Sequence, residues 1–442
     1  MDLRWQPGYV YPPVFYPPHV PLDALSALVF VLLAVGVAVL TFRRPANGLA
    51  ALIVLTPFAF AHYIDGTSVT LSKAALAGFV IGLLPHRPSL ASLRDPAFAR
   101  LLLAIGGMIV AMLLSAVAAG DKGAVLREIA KWLEYGAIFI AATVAFANDP
   151  DDRPIWFALA LATTLVAVLG FAQEFVGAPA GVFVHGQAFP RIAGPLEGPN
   201  QASAWLGIAI PLLLARILVH RDGWLVGATL LAAAADALTL SRSGIVATVI
   251  ACAVVVILTR PPRAVRWRFA AGALALAVVL VTLGTAVGLE VRFFSLAEVP
   301  QPDHLGTRAQ LWRAALDLWR SSPIVGVGAG NYELDLGRVG LPDVHTHANS
   351  LYLQSLAETG VVGLLATLFL VYASIQTFAQ SASRRPLIVG ALAASVGLAI
   401  HQVFDYLVFF PKVGEFWWLI LAVGVVEVMQ ARSDVRPLEV AS

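Results

Sequence analysis

Long apolar runs, separated by short polar segments, follow one another along almost the whole chain. A helix needs about 20 mostly apolar residues to cross the hydrocarbon core of a bilayer. Thirteen runs meet or approach that length, at 22–41, 46–64, 68–84, 101–119, 124–147, 154–176, 200–219, 224–240, 244–259, 269–289, 361–380, 387–405 and 416–430. Those at 68–84, 244–259 and 416–430 are short. The pattern therefore predicts an all-α polytopic membrane protein with 12–13 transmembrane helices.

The composition supports this reading and excludes some functions. Hydrophobic residues make up 59% and charged residues 13% of the 442 residues, and the mean hydropathy is +0.81. Soluble globular chains average about 45–50% apolar and about 25% charged residues. A net charge of +2 indicates no nucleic-acid-binding surface, and the single cysteine, Cys252, permits no intrachain disulfide. The Pro- and aromatic-rich N-terminus suits a membrane interface and is not expected to be a cleaved signal peptide.

Arginine and lysine are unevenly divided between alternate short loops. One set of loops contains 15 of these residues and the opposite set contains 5. Because cytoplasmic loops of membrane proteins carry the excess of positive charge, we expect the first set in the cytoplasm. The C-terminus is then inside, and with thirteen spans the N-terminus is outside.

Two outer segments are too long to be simple turns, and they divide the chain. We expect an N-terminal transmembrane bundle at residues 1–289, which includes a short outer loop at 177–199. A large outer loop follows at 290–360. Residues 361–442 would form the C-terminal transmembrane helices and a cytoplasmic tail.

The stretch "GTRAQLWRAALDLWRSSP" in the large outer loop has a helical apolar period. Trp312, Leu316 and Trp319 share one face, and Arg313 and Arg320 share another. This pattern predicts an amphipathic helix. The helix would lie either on the outer leaflet, with its tryptophans in the lipid, or on the outer surface of the protein itself.

The outer segments also collect arginine and histidine side chains. Arg191, Arg242 and Arg308 lie in three different outer segments, and His345 and His347 lie just before a span. Taken singly, an arginine at a membrane boundary usually reaches to lipid phosphate. Together, arginine suits bidentate contact with phosphate oxygens and histidine exchanges a proton near neutral pH. The set therefore favours a ligand such as a lipid-linked pyrophosphate sugar.

Several other kinds of site lack their sequence signatures. The chain has no GxxxxGK[ST] and no G-x-S-x-G, and its outer carboxylates show no metal-ligand spacing near the histidines. We therefore expect no nucleotide, no metal and no other cofactor. Asp236, His401 and Asp405 are polar residues within predicted spans, and we expect them to serve bundle packing.

Four stretches resemble one known family. "HTHANSLYLQSLAETGVVG" closely resembles the signature of the O-antigen ligase and Wzy polymerase superfamily. "TRAQLWRAALDLWRSSPIVGVGAGNYE", "RIAGPLEGPNQASAWL" and "LSRSG" are similar to its other outer elements, in the same order. The similarity covers roughly residues 185 to 365.

The resemblance implies a GT-C-like glycosyltransferase of the bacterial inner membrane with its active site facing the periplasm. The loops at 177–199 and 290–360 are then periplasmic, and the second is the catalytic loop. The expected reaction moves a glycan from undecaprenyl pyrophosphate to a lipid A–core sugar, without metal, nucleotide or nucleic acid. The implied base is a histidine, the implied pyrophosphate ligands are arginines, and supporting roles fall to other residues: Asn349, Asn200 and Glu358.

The resemblance leaves two histidines as candidates for the base. In the common family form the His stands directly before the Asn, whereas here Ala348 separates His347 from Asn349. We favour His347 over His345 because it lies nearer the start of the following helix. With His347 as base and Arg191, Arg242 and Arg308 on the pyrophosphate, a single displacement would invert the anomeric configuration.

Related activities stay open from the sequence. A Wzy-like O-antigen or exopolysaccharide polymerase and a protein O-oligosaccharyltransferase would use the same donor and a different acceptor. A transporter of lipid-linked sugars would instead be expected to place its charges near the midplane, often with repeat symmetry.

Overall fold

The computed structural model of the protein describes residues 23–58, 61–64, 67–86, 94–176, 191–268, 307–342, 344, 346–381 and 384–440, with scattered positions between 270 and 278. The helices of these ranges are α1 (Ala24–Arg43), α2 (Pro45–Leu55), α3 (Leu71–Leu83), α4 (Pro96–Ser115), α5 (Lys122–Asn148), α6 (Arg153–Val176), α7 (Pro199–His220), α8 (Trp224–Leu238), α9 (Arg242–Thr259), α10 (Arg308–Ser321), α11 (Tyr332–Asp335), α12 (Leu351–Ala379), α13 (Pro386–His401) and α14 (Pro411–Val440). Two strands, β1 (Ala61–Ile64) and β2 (Thr67–Thr70), pair antiparallel. Short 3-10 helices lie at Leu336–Val339 and Leu407–Phe409.

The prediction of an all-α polytopic membrane protein is confirmed. In the part of the chain that the structure describes, eight helices are long and apolar enough to cross a membrane. They are α1, α4, α5, α6, α7, α9, α12 and α14. Four shorter apolar helices, α2, α3, α8 and α13, match other predicted runs. The predicted span at 269–289 lies outside the described residues.

The second and third predicted runs are wrong in detail. The run 46–64 is helical only to Leu55, and the run 68–84 begins in β2 and becomes helical at Leu71. Pro57 interrupts the first run, and the dipeptide Asp65-Gly66, flanked by alternating residues, is a strong hairpin signal. Hydropathy alone missed this signal because it ignores turn chemistry.

The bundle is built around its last helix. In the most apolar stretch of α14, 89% of the residues are buried inside the protein. The corresponding share in α1, at the periphery, is 17%. Helix α14 packs mainly on α5, and α13 packs on α7, α9 and α12. The buried aromatic contacts of α14, including Trp205 stacked on Phe416 at 4.3 Å, fill the centre. The loops at the ends of the bundle therefore rest on a closely packed, rigid core.

Polar loops of the described residues gather at two opposite ends of this bundle. At one end, ion pairs join loops that lie far apart in the sequence: Arg44–Asp149 at 3.0 Å, Arg216–Asp152 at 2.7 Å, Arg385–Glu427 at 2.9 Å and Arg432–Asp95 at 3.1 Å. At the other end, the Asp121 N–H donates to Asn331 Oδ1 at 2.7 Å. The segments 191–198, 307–342, 346–350 and 402–410 all lie at this second end.

Helix α12 is broken near its start, where the predicted span was expected to begin. Gly360 has φ 65° and ψ −161°, which only glycine adopts readily. The segment 323–328 fills the break: the N–H groups of Val361 and Val362 donate to the carbonyls of Pro323 and Ile324 at 2.9 and 3.3 Å. Residues 351–359 therefore form a separate outer arm of the helix.

The predicted amphipathic helix exists as α10. Its N-terminus is closed by a capping box between Thr307 and Gln310. One face, formed by Leu311, Ala315 and Leu318, is buried on the outer arm of α12 in a small second core. This face of α10 therefore packs on the protein itself, whereas the tryptophan face is partly exposed.

Candidate functional site

The polar residues singled out in the sequence meet where six elements begin or end at the second end of the bundle. Arg191 precedes α7, Arg242 opens α9, Arg308 opens α10, and His347 precedes α12. The end of α13 and the segment 402–410 close the other side. Helix termini leave unpaired backbone groups, so polar side chains are well accommodated there.

Arg191 is held rigidly and is buried. Its Nε donates to the carbonyl of Thr239 at 2.7 Å, and its Nη2 donates to Asn200 Oδ1 at 2.8 Å. The backbone beside it is fixed by Gln173, whose Oε1 accepts the N–H groups of Ala193 and Gly194, both at 3.0 Å. These hydrogen bonds fix the position and direction of the guanidinium group.

Asn200 connects Arg191 to the segment after α13. Its Nδ2 donates to Asp405 Oδ2 at 2.7 Å, and Asp405 Oδ1 accepts the N–H of Tyr406 at 2.7 Å. The carbonyl of Asp405 also accepts the N–H of Leu351, the first residue of α12, at 2.9 Å. The buried Asp405 thus binds both Asn200 and the first residue of α12. The sequence suggested only a packing role for it.

The start of α9 brings a second arginine and a histidine to the same region. Arg242 is the first residue of α9 and is half-buried. The adjacent Ser241 places its Oγ 3.5 Å from Nε2 of His401, the last residue of α13. Asp405 and the guanidinium groups of Arg191 and Arg308 lie close enough to His401 to act on it electrostatically.

His347 sits in an aromatic box. Its ring centroid lies 6.0 Å from those of Tyr406 and Phe409 and 5.8 Å from that of Phe410. Burial lowers the pKa of His347 below its ordinary 6.5, and the positive charge of Arg308 lowers the pKa further, against the opposing effect of Asp405. The imidazole is therefore neutral at physiological pH.

Ala348, which separates His347 from Asn349, is accommodated by a local change in the backbone conformation. Asn349 has φ 49°, in the left-handed region that asparagine tolerates better than most residues. Its N–H turns back to His347 Nδ1 at 3.3 Å, and the N–H of Ala348 donates to Gln354 Oε1 at 2.7 Å. Because Nδ1 accepts this hydrogen bond, the neutral ring carries its proton on Nε2 in this conformation. His345 lies outside the described residues.

Glu358 lies in the outer arm of α12, and the contacts that the structure gives it are structural. Its Oε1 accepts Gln354 Nε2 at 2.8 Å and the N–H of Tyr332 at 3.3 Å. The N–H of Gly330 also binds this carboxylate. These contacts support the glycine-rich segment behind α10.

The structure thus joins Arg191 to Asn200 directly and brings Arg308 and His347 within electrostatic reach of each other. Arg242 lies one residue from Ser241, which contacts His401. The sequence had a signal for Asp405 and His401, because they are four residues apart at the outer end of a span and so share a helical face. That signal could not show that Asn200 would meet Asp405.

The chain was compared with known protein families and with curated proteins, and only the first comparison gave a match. Residues 227–368 match the family model described as O-antigen ligase, a range that includes Arg242, Arg308, His347, Asn349 and Glu358. No curated protein matches the chain. The match supports the resemblance seen in the sequence, over about a third of the chain.

Proposed function

We propose that the protein is an O-antigen ligase of the bacterial inner membrane, which transfers a glycan from undecaprenyl pyrophosphate to a lipid A–core sugar at the periplasmic face. The observation that carries this proposal is the placement of a neutral, buried His347 within the field of Arg308. A base beside a fixed cation suits a reaction in which a hydroxyl loses a proton while a phosphate gains charge.

In the proposed step the acceptor hydroxyl attacks the anomeric carbon of the donor glycan. The hydroxyl oxygen forms the new glycosidic bond, and its proton passes to His347. The bond between the anomeric carbon and the pyrophosphate oxygen breaks, and its electron pair leaves with undecaprenyl pyrophosphate. One displacement inverts the anomeric configuration, and the product, the departing lipid pyrophosphate and the protonated histidine account for all atoms and charges.

The three arginines would stabilise the leaving group. Arg191 is bound to Thr239 and Asn200, so its positive charge is held in a fixed position. Arg242 and Arg308 are half-buried at two helix starts, where the positive end of each helix dipole adds to their charge. Positive charge from these side chains replaces the metal that many sugar transferases use.

For His347 to act as base, one ring nitrogen must present a free lone pair to the acceptor. The Asn349 N–H contact to Nδ1 is long at 3.3 Å and is therefore weak. We propose that the acceptor hydroxyl displaces this contact, or that the ring changes tautomer so that Nε2 accepts. Asn349 would then support the loop through its left-handed backbone.

The test is transfer by the purified protein in detergent, with an undecaprenyl-pyrophosphate-linked glycan and lipid A–core as substrates. The expected result is a glycosylated lipid A–core with inverted anomeric configuration, and its loss in His347→Ala with the fold intact. Loss in His345→Ala and not in His347→Ala would assign the base to His345. Activity in both variants would overturn the mechanism.

The acceptor separates the proposal from its relatives. A strain lacking the protein should accumulate full-length lipid-linked polymer. Accumulation of single lipid-linked repeats would indicate a polymerase, and loss of glycan from proteins would indicate a protein O-oligosaccharyltransferase. Product formation in detergent, where no membrane has to be crossed, would exclude a pure transporter.

A further inference from the structure

A chain of buried hydrogen bonds connects the loop of His347 with the helix of Arg308. The Ala348 N–H donates to Gln354 Oε1 at 2.7 Å, and Gln354 Nε2 donates to Glu358 Oε1 at 2.8 Å. The same carboxylate oxygen accepts the N–H of Tyr332 at 3.3 Å. The hydroxyl of Tyr332 then donates to the carbonyl of Leu311 in α10 at 2.7 Å.

The direction of each bond in this chain is fixed. A backbone N–H only donates, so Gln354 must present its carbonyl oxygen to Ala348 and its amide nitrogen to Glu358. Gln354 is 4% exposed and Glu358 is 6% exposed, so water cannot readily replace either partner. Tyr332 is fully buried, which leaves its hydroxyl with the Leu311 carbonyl as acceptor.

The two ends of this series of hydrogen bonds adjoin His347 and Arg308, which the proposed reaction needs at a fixed spacing. Ala348 directly follows His347, and Leu311 lies one helical turn from Arg308. The two ends are not close along the sequence, because Arg308 and His347 are 39 positions apart. They are bridged by the side chains of Gln354 and Glu358 and by the backbone N–H and hydroxyl of Tyr332. These three residues are here called the outer-arm junction.

We propose that Gln354 is a positioning residue, which acts with Glu358 and Tyr332 to hold the His347 loop and the Arg308 helix at a fixed spacing. The activity part of this inference rests on the proposed function. Its structural part does not, because the coupling between the two segments exists whatever reaction they perform.

The first test measures amide hydrogen exchange in the full-length protein. Gln354→Met keeps the length of the side chain and removes both hydrogen bonds. Exchange should rise about tenfold in residues 308–321 as well as in residues 346–350, because two buried partners lose their bonds. Ser355→Ala is the matched control: it removes the bond from Thr367 Oγ1 on the same helix and does not touch the junction.

The second test measures glycan transfer as a function of pH. In Gln354→Glu two carboxylates face each other, and Glu128 adds further negative charge near Glu358. Protonation of this pair restores a donor at position 354, so transfer relative to wild type should recover as the pH falls from about 8 to about 6. The ratio for Gln354→Met should stay flat over that range.

The third test is a double-mutant cycle between Gln354→Met and Tyr332→Phe. Gln354 Nε2 and the backbone N–H of Tyr332 both donate to Glu358, and the Tyr332 hydroxyl continues to Leu311. The effects of the two substitutions on transfer should therefore be non-additive by about threefold or more if the junction acts as a unit. Tyr332→Phe and Ser355→Ala should be additive.

The outcomes separate the two proposals. Unchanged exchange in residues 308–321 of Gln354→Met would overturn the junction, even if transfer fell. Additive effects with a flat pH ratio for Gln354→Glu would also overturn it. Absence of transfer by the wild-type protein would instead overturn the proposed function and leave the exchange result to decide on the junction.

Discussion

Asn200 and Asp405, 205 residues apart in the sequence, are joined by a hydrogen bond of 2.7 Å from Asn200 Nδ2 to Asp405 Oδ2. The other end of the same amide accepts Arg191, so one asparagine orients a buried arginine against a buried carboxylate. We expect Asp405→Asn to lower transfer by about tenfold or more, because two amide groups would then face each other with a buried donor unpaired.

A charge-exchanged pair is the control for this prediction. In Asn200→Asp with Asp405→Asn, the new aspartate accepts both Arg191 and the new asparagine, and the Tyr406 N–H keeps its acceptor. Transfer by the double variant should recover most of the loss seen in the single variant. A double variant as poor as Asp405→Asn would show that the carboxylate is required at position 405 for another reason.

His347→Ala should lower transfer by about 10²–10⁴-fold, the usual contribution of a general base. Thermal unfolding of the detergent-solubilised protein checks that the variant is folded.

The pH dependence of transfer should report the aromatic box around His347. Because burial lowers the pKa of this group below 6.5, wild-type activity should persist through neutral pH and fall only on the acid side of that value. Phe410→Ala admits water to the ring and should move the acid limb to higher pH. Phe404→Ala, whose ring contacts Trp312 at 6.2 Å, is the control and should leave the limb in place.

The same pKa shift has a consequence for stability, with a definite sign. The folded state disfavours the protonated ring, so the contribution of His347 to stability is present above pH 6.5 and is lost as the pH falls towards the lowered pKa.

An acid limb of the activity profile that moved equally in Phe410→Ala and Phe404→Ala would contradict the assignment of His347 as base.

Arg191 and Arg308 should respond differently to replacement by lysine. Arg191→Lys leaves a buried carbonyl or amide without its donor, at a cost of about 1–3 kcal/mol, so both unfolding temperature and transfer should fall. Arg308→Lys changes a half-buried side chain and should reduce transfer with little effect on unfolding, because lysine cannot contact phosphate oxygens in bidentate fashion. Equal unfolding temperatures for the two variants would contradict the structural role of Arg191.

Gly360→Ala should destabilise the protein by about 1–3 kcal/mol or more, since its backbone conformation is nearly restricted to glycine. A Cβ at this position would also lie 2.2 Å from the carbonyl oxygen of Ile324. Gly107→Ala is the control, because the nearest atom to its Cβ would be Ala366 Cβ at 3.9 Å. The measurement is thermal unfolding of both variants, and a Gly360→Ala protein as stable as the control would contradict the role of the break.

Hydropathy predicted most of the helices because crossing a bilayer demands long apolar segments, whatever they pack against. It failed at residues 56–70, where Pro57 and a hairpin dipeptide override apolar composition. It also placed the start of α12 ten residues late, because the outer arm, residues 351–359, contains polar residues that are buried by the protein itself, for example Gln354 and Glu358 beside Ala348 and Tyr332.

The sequence predicted that certain arginine and histidine side chains lie together at one end of the bundle, and their roles as a site stay a prediction. The charge pattern placed three arginines and a histidine at one end, and the structure describes Arg191, Arg242, Arg308 and His347 there. Asp405 was assigned only to packing, because its partner Asn200 lies across the bundle and no local period connects them. Such pairings depend on tertiary contacts between helices that are distant in the sequence.

The segment between α10 and α12 is attached to the outer arm twice. Val327 and Gly328 donate to the carbonyls of Ala357 and Glu358, and Ala348 is bound by Gln354. Between these attachments, Gly337, Arg338, Gly340 and Pro342 are exposed, and a Cβ at Gly340 would meet open space. An insertion at residues 337–342 would therefore bulge outward and leave Arg308 and His347 in place. This stretch can therefore gain surface without movement of the residues beneath it.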